Sequence, residues 1–450
     1  MELIIIIISI SILSRAVLTL FLLMKTLSWL GKSDQEPLVL SSNKVPKLYI
    51  LIPVLREQQK ITQTLRHFVW YFGNKNIFIY VITTQREYEK KFEGLSTFSI
   101  VNNYISENNL GDLIKVLDYP NPRGVMADQL NFALEKINDP SSYIAVYNAD
   151  SMPNPNTLGE FYLMLRKYPE SEVMQQSAFF IKNFNQLKNK SLFVTYLLKA
   201  SAILQTRWTL THEFPRMFYH ALTKLKFMRK YGIANCVGHG LFIKTKLIKE
   251  VGGFPAETVT EDVPLGYILR SRGIDIYPMR QTELADSPVT LKGLWDQKYV
   301  WFWGPLKYIT YYKQLRKRRD LLKVKDMRVP LIIGAQGLFS AFIWIISGPL
   351  LLVALLSPIL THNYNIVFLS YISILLYGPI QYWIILNRLE DLYAFSGSHF
   401  AGIDFESRIL ISIMSIPASI FNSIPPFFTI GTEIKSKWLK TTIYKPKTDD

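Results

Sequence analysis

The chain has 450 residues, 49% hydrophobic and only 19% charged, so it holds one sizeable globular domain plus apolar segments rather than an ordinary soluble composition. A formal charge of +16 suits either nucleic acid or an anionic membrane surface; the densest basic run, Lys313 to Arg319, stands just before a long apolar stretch, with no nucleic-acid motif beside it, so membrane lipids are the expected partner and nucleic acid is not. The single cysteine, Cys236, excludes an internal disulfide and a cysteine-rich metal site, and its glycine-flanked, apolar setting suits packing better than a catalytic thiol.

In chain order, Leu3 to Leu30 is apolar apart from Arg15, Lys25 and a few hydroxyl residues. It exceeds a signal-peptide core and lacks a small-residue cleavage site, so residues 1–30 are expected to form an uncleaved transmembrane helix. A polar linker follows over 31–46. From 47 to 293, short apolar strands alternate with amphipathic helices. The pattern predicts strands at Leu48 to Pro53, Ile77 to Thr83 and Tyr143 to Asn148, and helices at Ile61 to Tyr71 and Gly124 to Ile137. Such alternation argues for an α/β domain with a mostly parallel sheet. Ligands in these sheets bind at the carboxyl ends of strands, where Asp150 falls.

Residues 294–327 interleave Trp, Tyr and Phe with Lys and Arg around a Gly304-Pro305 break, which suits amphipathic helices in the bilayer interface. A surface helix of the soluble domain is the plainer alternative. Three apolar stretches follow within 328–430: Val329 to Leu360, Tyr364 to Leu386 and Ile409 to Ile430. Gly348-Pro349 makes the first kinked or partly re-entrant, and Pro417, Pro425 and Pro426 bend the last. The expected product is an integral, multi-pass protein of the cell or plasma membrane with its domain in the cytoplasm. Three full spans would then leave the C-terminus outside, yet the basic tail 431–450, with Lys435, Lys437, Lys440, Lys445 and Lys447, favours the inside. One segment is therefore expected not to cross.

Three motifs carry the chemistry. Asp150, in a turn followed by Pro153 and Pro155, can hold Mg2+ or Mn2+ together with substrate phosphates, because these hard cations need only one or two carboxylates when phosphates complete the shell. A turn-forming Asp is the bland reading. Glu261 and Asp262 open an apolar helix, where acids complement the helix dipole; Asp262 can also accept a proton from an attacking hydroxyl. Gln297 and Trp301 lie one helical turn apart and share a face. An indole can stack on a sugar ring while the amide bonds hydroxyls or phosphates, although Trp295, Trp301 and Trp303 also suit membrane-interface anchors.

In this order the motifs resemble those of membrane-embedded family 2 glycosyltransferases, the group of hyaluronan, chitin and cellulose synthases and ceramide glucosyltransferase. The resemblance covers roughly Leu48 to Pro305. It implies a GT-A-type nucleotide-sugar domain with interfacial amphipathic helices and transmembrane α-helices. Ile52-Pro53-Val54-Leu55-Arg56-Glu57 is similar to the first strand and loop of the nucleotide-binding half, which implies substrate contacts for Pro53 and Glu57. Arg123-Gly124 and the segment around Asn131 resemble the glycine-lysine and leucine-asparagine landmarks. Gly238-His239-Gly240 and Gly252-Gly253-Phe254 match the turns before the acidic motif, adding His239 to the substrate side. By the same resemblance Asp150 is the metal ligand, Asp262 with Glu261 the catalytic acids, and Gln297, Lys298 and Trp301 the acceptor-binding group.

Three positions depart from the pattern. Thr83-Thr84-Gln85-Arg86-Glu87 stands where aspartates hold the nucleobase and ribose; Asn148 replaces the first acid of the metal motif; Val300 replaces an arginine. Metal, Arg123 or Lys298 remain as partners for the leaving diphosphate. The implied reaction is inverting transfer from a nucleotide-diphosphate sugar, a UDP-sugar by family default, to a growing polysaccharide. Transfer of one sugar to a lipid acceptor is the alternative, with a transporter or an inactive scaffold as rivals.

Overall fold

Three apolar runs, β1 (Leu48–Pro53), β2 (Ile77–Thr84) and β4 (Tyr143–Val146), are buried almost throughout, as parallel strands covered by helices on both faces must be. With β3 (Ile114–Tyr119), β5 (Val173–Gln175), β7 (Leu241–Lys244) and β8 (Tyr277–Pro278) they form one sheet of order β3-β2-β1-β4-β7-β5-β8. A second pair joins β6 (Ala178–Phe179) to β9 (Glu283–Leu284). Strands β1 to β4 are mutually parallel, while β7 runs antiparallel between β4 and β5. The computed structural model describes residues 1–32, 45–73, 75–89 and 94–439. Most of the expected 31–46 linker, and Lys440, Lys445 and Lys447 of the tail, lie outside them.

The inversion at β7 positions the site. Val146 pairs with Leu241, so the turn Gly238-His239-Gly240 stands beside the carboxyl end of β4. Gly240 donates its N–H to the Val146 carbonyl at 2.8 Å. Its φ of +64°, and a Gln176 carbonyl 2.5 Å from where a Cβ would sit, leave room only for glycine.

Four helices are long and apolar enough to cross a membrane: Glu2–Leu30, Arg328–Leu355, Tyr364–Leu386 and Phe405–Trp438. They pack through small residues, which let helix backbones approach closely. Ser9 and Ser370 share a hydrogen bond of 2.8 Å, and Thr361 donates to Glu2 at 2.6 Å. A Cβ on Gly348 would meet the Ile420 backbone at 3.1 Å, and one on Gly378 would meet the Ser415 hydroxyl at 2.6 Å. Arg328–Leu355 is one helix through Pro349.

The last segment is arranged differently. Phe405–Trp438 is long enough to span, yet both its ends touch the domain side. At one end Arg408 donates to the Asn387 amide oxygen at 2.9 Å, just after the second C-terminal helix has returned. At the other, Thr429 donates to the Tyr299 carbonyl at 3.0 Å and Lys307 pairs with Glu433 at 2.5 Å. Between them Ser415 and Ser423 reach into the bundle against Gly378 and Gly348. The segment enters, breaks at Met414 between two helices, and comes back. Lys435 and Lys437 consequently lie on the domain side.

The aromatic segment forms three helices, Leu291–Trp301, Trp303–Leu306 and Tyr308–Lys317, wedged between domain and bundle. Trp295 packs on Phe428 at 5.0 Å and Phe302 on Trp344 at 5.4 Å between ring centroids. Their other side meets the acidic motif: a Cβ on Gly304 would lie 2.8 Å from Val263 and 3.1 Å from the Thr260 hydroxyl.

Candidate active site

Asp150 ends the turn that leaves β4. Tyr147, fully buried, donates to Gln176 at 2.6 Å, and Thr64 donates to the Ala149 carbonyl at 2.5 Å. The short helix Leu389–Phe395 locks the other flank, where Asn154 donates to the Phe395 carbonyl at 2.8 Å. A cleft of about 260 Å³ opens here, lined by Lys60, Gln63, Asp150, Lys182, Asn183 and Asp286 among others. Lys182 donates to the Asp150 carbonyl at 3.1 Å and stands 3.8 Å from the Asp286 carboxylate. No motif spacing announces Lys182 or Asp286, which reach the cleft only through the β6–β9 pairing.

Glu261 and Asp262 open the Asp262–Ser271 helix. Asp262 accepts from the Val263 N–H at 2.7 Å. Both carboxylates stand over Gly238, at 3.3 and 3.7 Å from its Cβ position. They line a narrow pocket with Leu130, Val146, Leu241 and Phe254, distinct from the Asp150 cleft.

Two buried groups connect these sides. His239 Nδ1 lies 3.0 Å from a Glu283 oxygen, which Ser151 also approaches at 3.3 Å. Burial acts to lower His239, but the Glu283 carboxylate, aided by Glu213 and Asp150, more than offsets it and holds the imidazole above its ordinary value. Glu213 accepts from the Ser177 hydroxyl at 2.5 Å. Burial pushes its carboxyl up to about 7, with Asp262 adding to the rise and Ser177, His239 and Arg216 opposing it. Sequence reasoning missed Glu213 entirely, since it sits in a π-turn between two helices with no motif around it.

Glu87 organises the loops at the carboxyl ends of β1 and β2. This buried carboxylate accepts from Gln58 at 2.9 Å and from the N–H and hydroxyl of Thr97 at 2.8 and 3.0 Å. Pro53 closes β1 opposite Ile82, and Glu57 donates its N–H to Thr97 at 3.2 Å. Thr83 donates to Asp118 at 2.7 Å, with Gln85 bonded to its second oxygen, so a carboxylate from β3 stands beside the segment that lacks aspartates. Arg123 is exposed in the turn before the Met126–Glu135 helix. Asn131 has both ends of its amide on Phe254, donating to the carbonyl at 2.8 Å and accepting from the N–H at 2.7 Å; its visible task is to hold the Gly252-Gly253-Phe254 turn.

Gln297, Lys298 and Trp301 are together. The Lys298 ammonium is 4.2 Å from the Trp301 ring centre and donates to Gln297 at 3.2 Å. Burial drives Lys298 well below the usual lysine value. Trp301 keeps 37% of its surface exposed and meets Phe180 edge-on at 5.4 Å. Cys236 is buried, its thiol raised by burial, as packing requires.

Comparison with known proteins agrees with this architecture. The chain is structurally similar to a mannosyltransferase, PcManGT of Pyrobaculum calidifontis, solved with GDP-Man and Mn2+. The match has 13% identity, covers 97% of this chain and 100% of that one, and has a TM-score of 0.50. Weaker likenesses are to S. aureus TarS 1-349 (12% identity, 88% and 92% covered, TM-score 0.38) and to glucosyl-3-phosphoglycerate synthase of Mycobacterium tuberculosis (13%, 52% and 68%, 0.31). No curated protein sequence matches the chain. Residues 46–302 match the model of the family described as glycosyltransferase like family 2. With more than half of its length inside that match, the chain belongs to this family and is a glycosyltransferase of GT-A-type fold.

Proposed function

We propose that the protein is a multi-pass membrane enzyme that transfers one sugar, with inversion, from a nucleotide-diphosphate sugar to the hydroxyl of a lipid acceptor on the domain side of the bilayer. One observation supports this reading: the acidic motif, whose carboxylates stand over Gly238, is packed directly on the aromatic helices through Gly304, while Asp150 lines a cleft of its own. The Asp150 cleft offers hard oxygen donors, Asp150 and Asp286 with amide oxygens of Asn183 and Gln186. Among the described residues no cluster of three His, Cys, Asp or Glu could hold a metal without help, so Mg2+ or Mn2+ would be completed by substrate phosphates. The Mn2+ in the PcManGT complex supports such a cation here. When bound, it would stabilise charge on the departing diphosphate.

Lys182 and Lys60, in the same cleft, supply positive charge to that diphosphate where Val300 replaces an arginine. Asp262 takes the proton of the acceptor hydroxyl as its oxygen attacks the anomeric carbon. Gln297 and Trp301 orient the acceptor, and such positioning alone can lower a barrier by several kcal/mol.

A lipid acceptor is preferred because the bundle is closed by close contacts at Ser9–Ser370, Gly348–Ser423 and Gly378–Ser415, which oppose a polymer channel. The partly exposed Trp301 face favours polysaccharide synthesis as the second reading. Membranes supplied with labelled nucleotide sugars, UDP-sugars first, decide between them by product mass. A lipid carrying a single sugar is expected; a long polymer would overturn the lipid assignment.

A further inference from the structure

Residues 224–230 are exposed without a break, and they lie where the domain meets two membrane helices. The segment follows the helix Phe214–Ala221, whose Phe214 and Phe218 rings pack on Trp29 at 5.7 and 4.7 Å and whose Tyr219 ring lies 4.4 Å from the Lys25 ammonium. Those contacts fall in the last turns of Glu2–Leu30. At its other end the segment meets the start of Arg328–Leu355. There Lys230 pairs with Asp326 at 2.8 Å, Ile233 donates its N–H to the Gln336 amide oxygen at 3.2 Å, and the Gln336 amide donates to the Tyr231 carbonyl at 2.9 Å. One stretch of chain thus bridges the domain-side ends of two helices long and apolar enough to cross a membrane.

Within it, Lys226–Tyr231 forms a short helix with no buried residue. At the helical repeat, Phe227, Met228 and Tyr231 share one side and Lys226, Arg229 and Lys230 the opposite one. Phe227 is 70% exposed and Leu225, just before the helix, 60%. With Met228 they form a contiguous apolar patch, unlike the single apolar residues scattered over an ordinary aqueous surface. The orientation is fixed. Arg229 donates to Asp275 at 2.6 Å, and Arg270 donates to the Arg229 carbonyl at 2.5 Å. Together with Lys230 on Asp326, these bonds turn the cationic side toward the protein and leave the apolar side outward. Among the described residues Lys224 and Lys226 have no carboxylate partner.

We propose that residues 224–231 are a lipid-docking surface: Leu225, Phe227 and Met228 enter the headgroup–acyl boundary of the domain-side leaflet, and Lys224 and Lys226 bind anionic phospholipid headgroups there. The bilayer is the occupant because the segment is continuous with two spanning helices, and Leu331, in the first turn of Arg328–Leu355, is exposed as well. A short helix with a basic side and an apolar side suits that boundary. Lysine stems are long enough to lie along apolar surface while their ammonium groups stay at headgroup level, where anionic lipid attracts them. This surface is separate from the Lys313 to Arg319 run and from the aromatic helices. It rests on the multi-pass reading above and not on sugar transfer.

Full-length Phe227→Cys, labelled with an environment-sensitive fluorophore against the buried Cys236, is reconstituted in nanodiscs of phosphatidylcholine with or without phosphatidylglycerol. A nitroxide on the upper acyl chain should quench the label by about half, and aqueous iodide should quench it little. The nitroxide quenching should weaken when phosphatidylglycerol is omitted, and equally in Phe227→Cys carrying Lys224→Gln and Lys226→Gln. Unlabelled Leu225→Ser/Phe227→Ser, in which only exposed side chains change, should retain roughly threefold less phosphatidylglycerol than the wild type by native mass spectrometry. A label quenched by iodide and not by the lipid nitroxide overturns the surface. One shielded from both marks a protein contact, with a second copy or another chain, and overturns it too. Lipid quenching indifferent to phosphatidylglycerol and to the two lysines, or unchanged lipid retention in the double serine variant, overturns the anionic-lipid assignment. Protein that does not stay in the discs defeats the multi-pass reading itself, and the surface with it.

Discussion

Replacing Asn131 by alanine separates two roles for one side chain. The substitution deletes both hydrogen bonds to Phe254, at 2.8 and 2.7 Å, and leaves a partly buried N–H and C=O without their partner. Each bond is worth about 1 kcal/mol net, and each orphaned group adds roughly 1–3 kcal/mol when buried. Partial exposure argues for the lower part of that range, roughly 2–4 kcal/mol in all. In a domain of this size 1 kcal/mol moves Tm by about 2–4 °C, so a fall on the order of 5–15 °C is expected. The turn leads into Thr260-Glu261-Asp262, and loosening it should lower kcat while donor KM stays near wild type. Thermal unfolding in detergent and steady-state kinetics read both quantities. An unchanged Tm with a raised donor KM would refute this reasoning and make Asn131 a direct substrate ligand, as the family resemblance implies.

Further outcomes follow from the buried charges and the chain path. The native Glu213 carboxyl keeps its proton to about pH 7, whereas the unfolded chain releases it near 4.5, so this group makes stability fall as pH rises between those values, by roughly 3 kcal/mol. Glu213→Gln should flatten that window in thermal scans from pH 5 to 8; an unaltered pH dependence would place the titration elsewhere. Because Cys236 is buried, an introduced cysteine can be labelled against a low background. Lys437→Cys should react from the domain side of sealed vesicles and Asn363→Cys from the opposite side. Labelling of both from one side, or of Lys437→Cys from the far side, would contradict the re-entrant path.

The long apolar strands were legible because burial on both faces leaves an uninterrupted hydrophobic run, and β1 matches its expected limits. The short strands β5 to β9 were not, since two to four residues carry no periodicity. In β3, Lys115 and Asp118 break the apolar run. Asp150 and Asp262 could be singled out by their places at a strand end and a helix start. Lys182, Asp286 and Glu213 could not, because only the pairing of β6 with β9 and the fold of the π-turn bring them near. The parity argument from the tail lysines expects one segment not to cross, but length and composition do not say which. The contacts that bring both ends of the last segment to the domain are long-range: Glu433 held by Lys307, and Arg408 held by Asn387. Arg15 was visible as a charge in an apolar span, whereas its meeting with Arg207 at the Tyr377 ring is a property of packing alone.

The division of labour between the two acids is tested most directly by measuring donor binding and turnover in the same pair of variants. Isothermal titration of a nucleotide sugar with and without Mn2+ should show that Asp150→Ala loses the metal-dependent part of binding. Asp262→Asn should bind donor like the wild type yet transfer at least a hundredfold more slowly, the scale of a lost general base. Wild-type transfer by Asp262→Asn, or metal-dependent donor binding that survives in Asp150→Ala, would contradict the account.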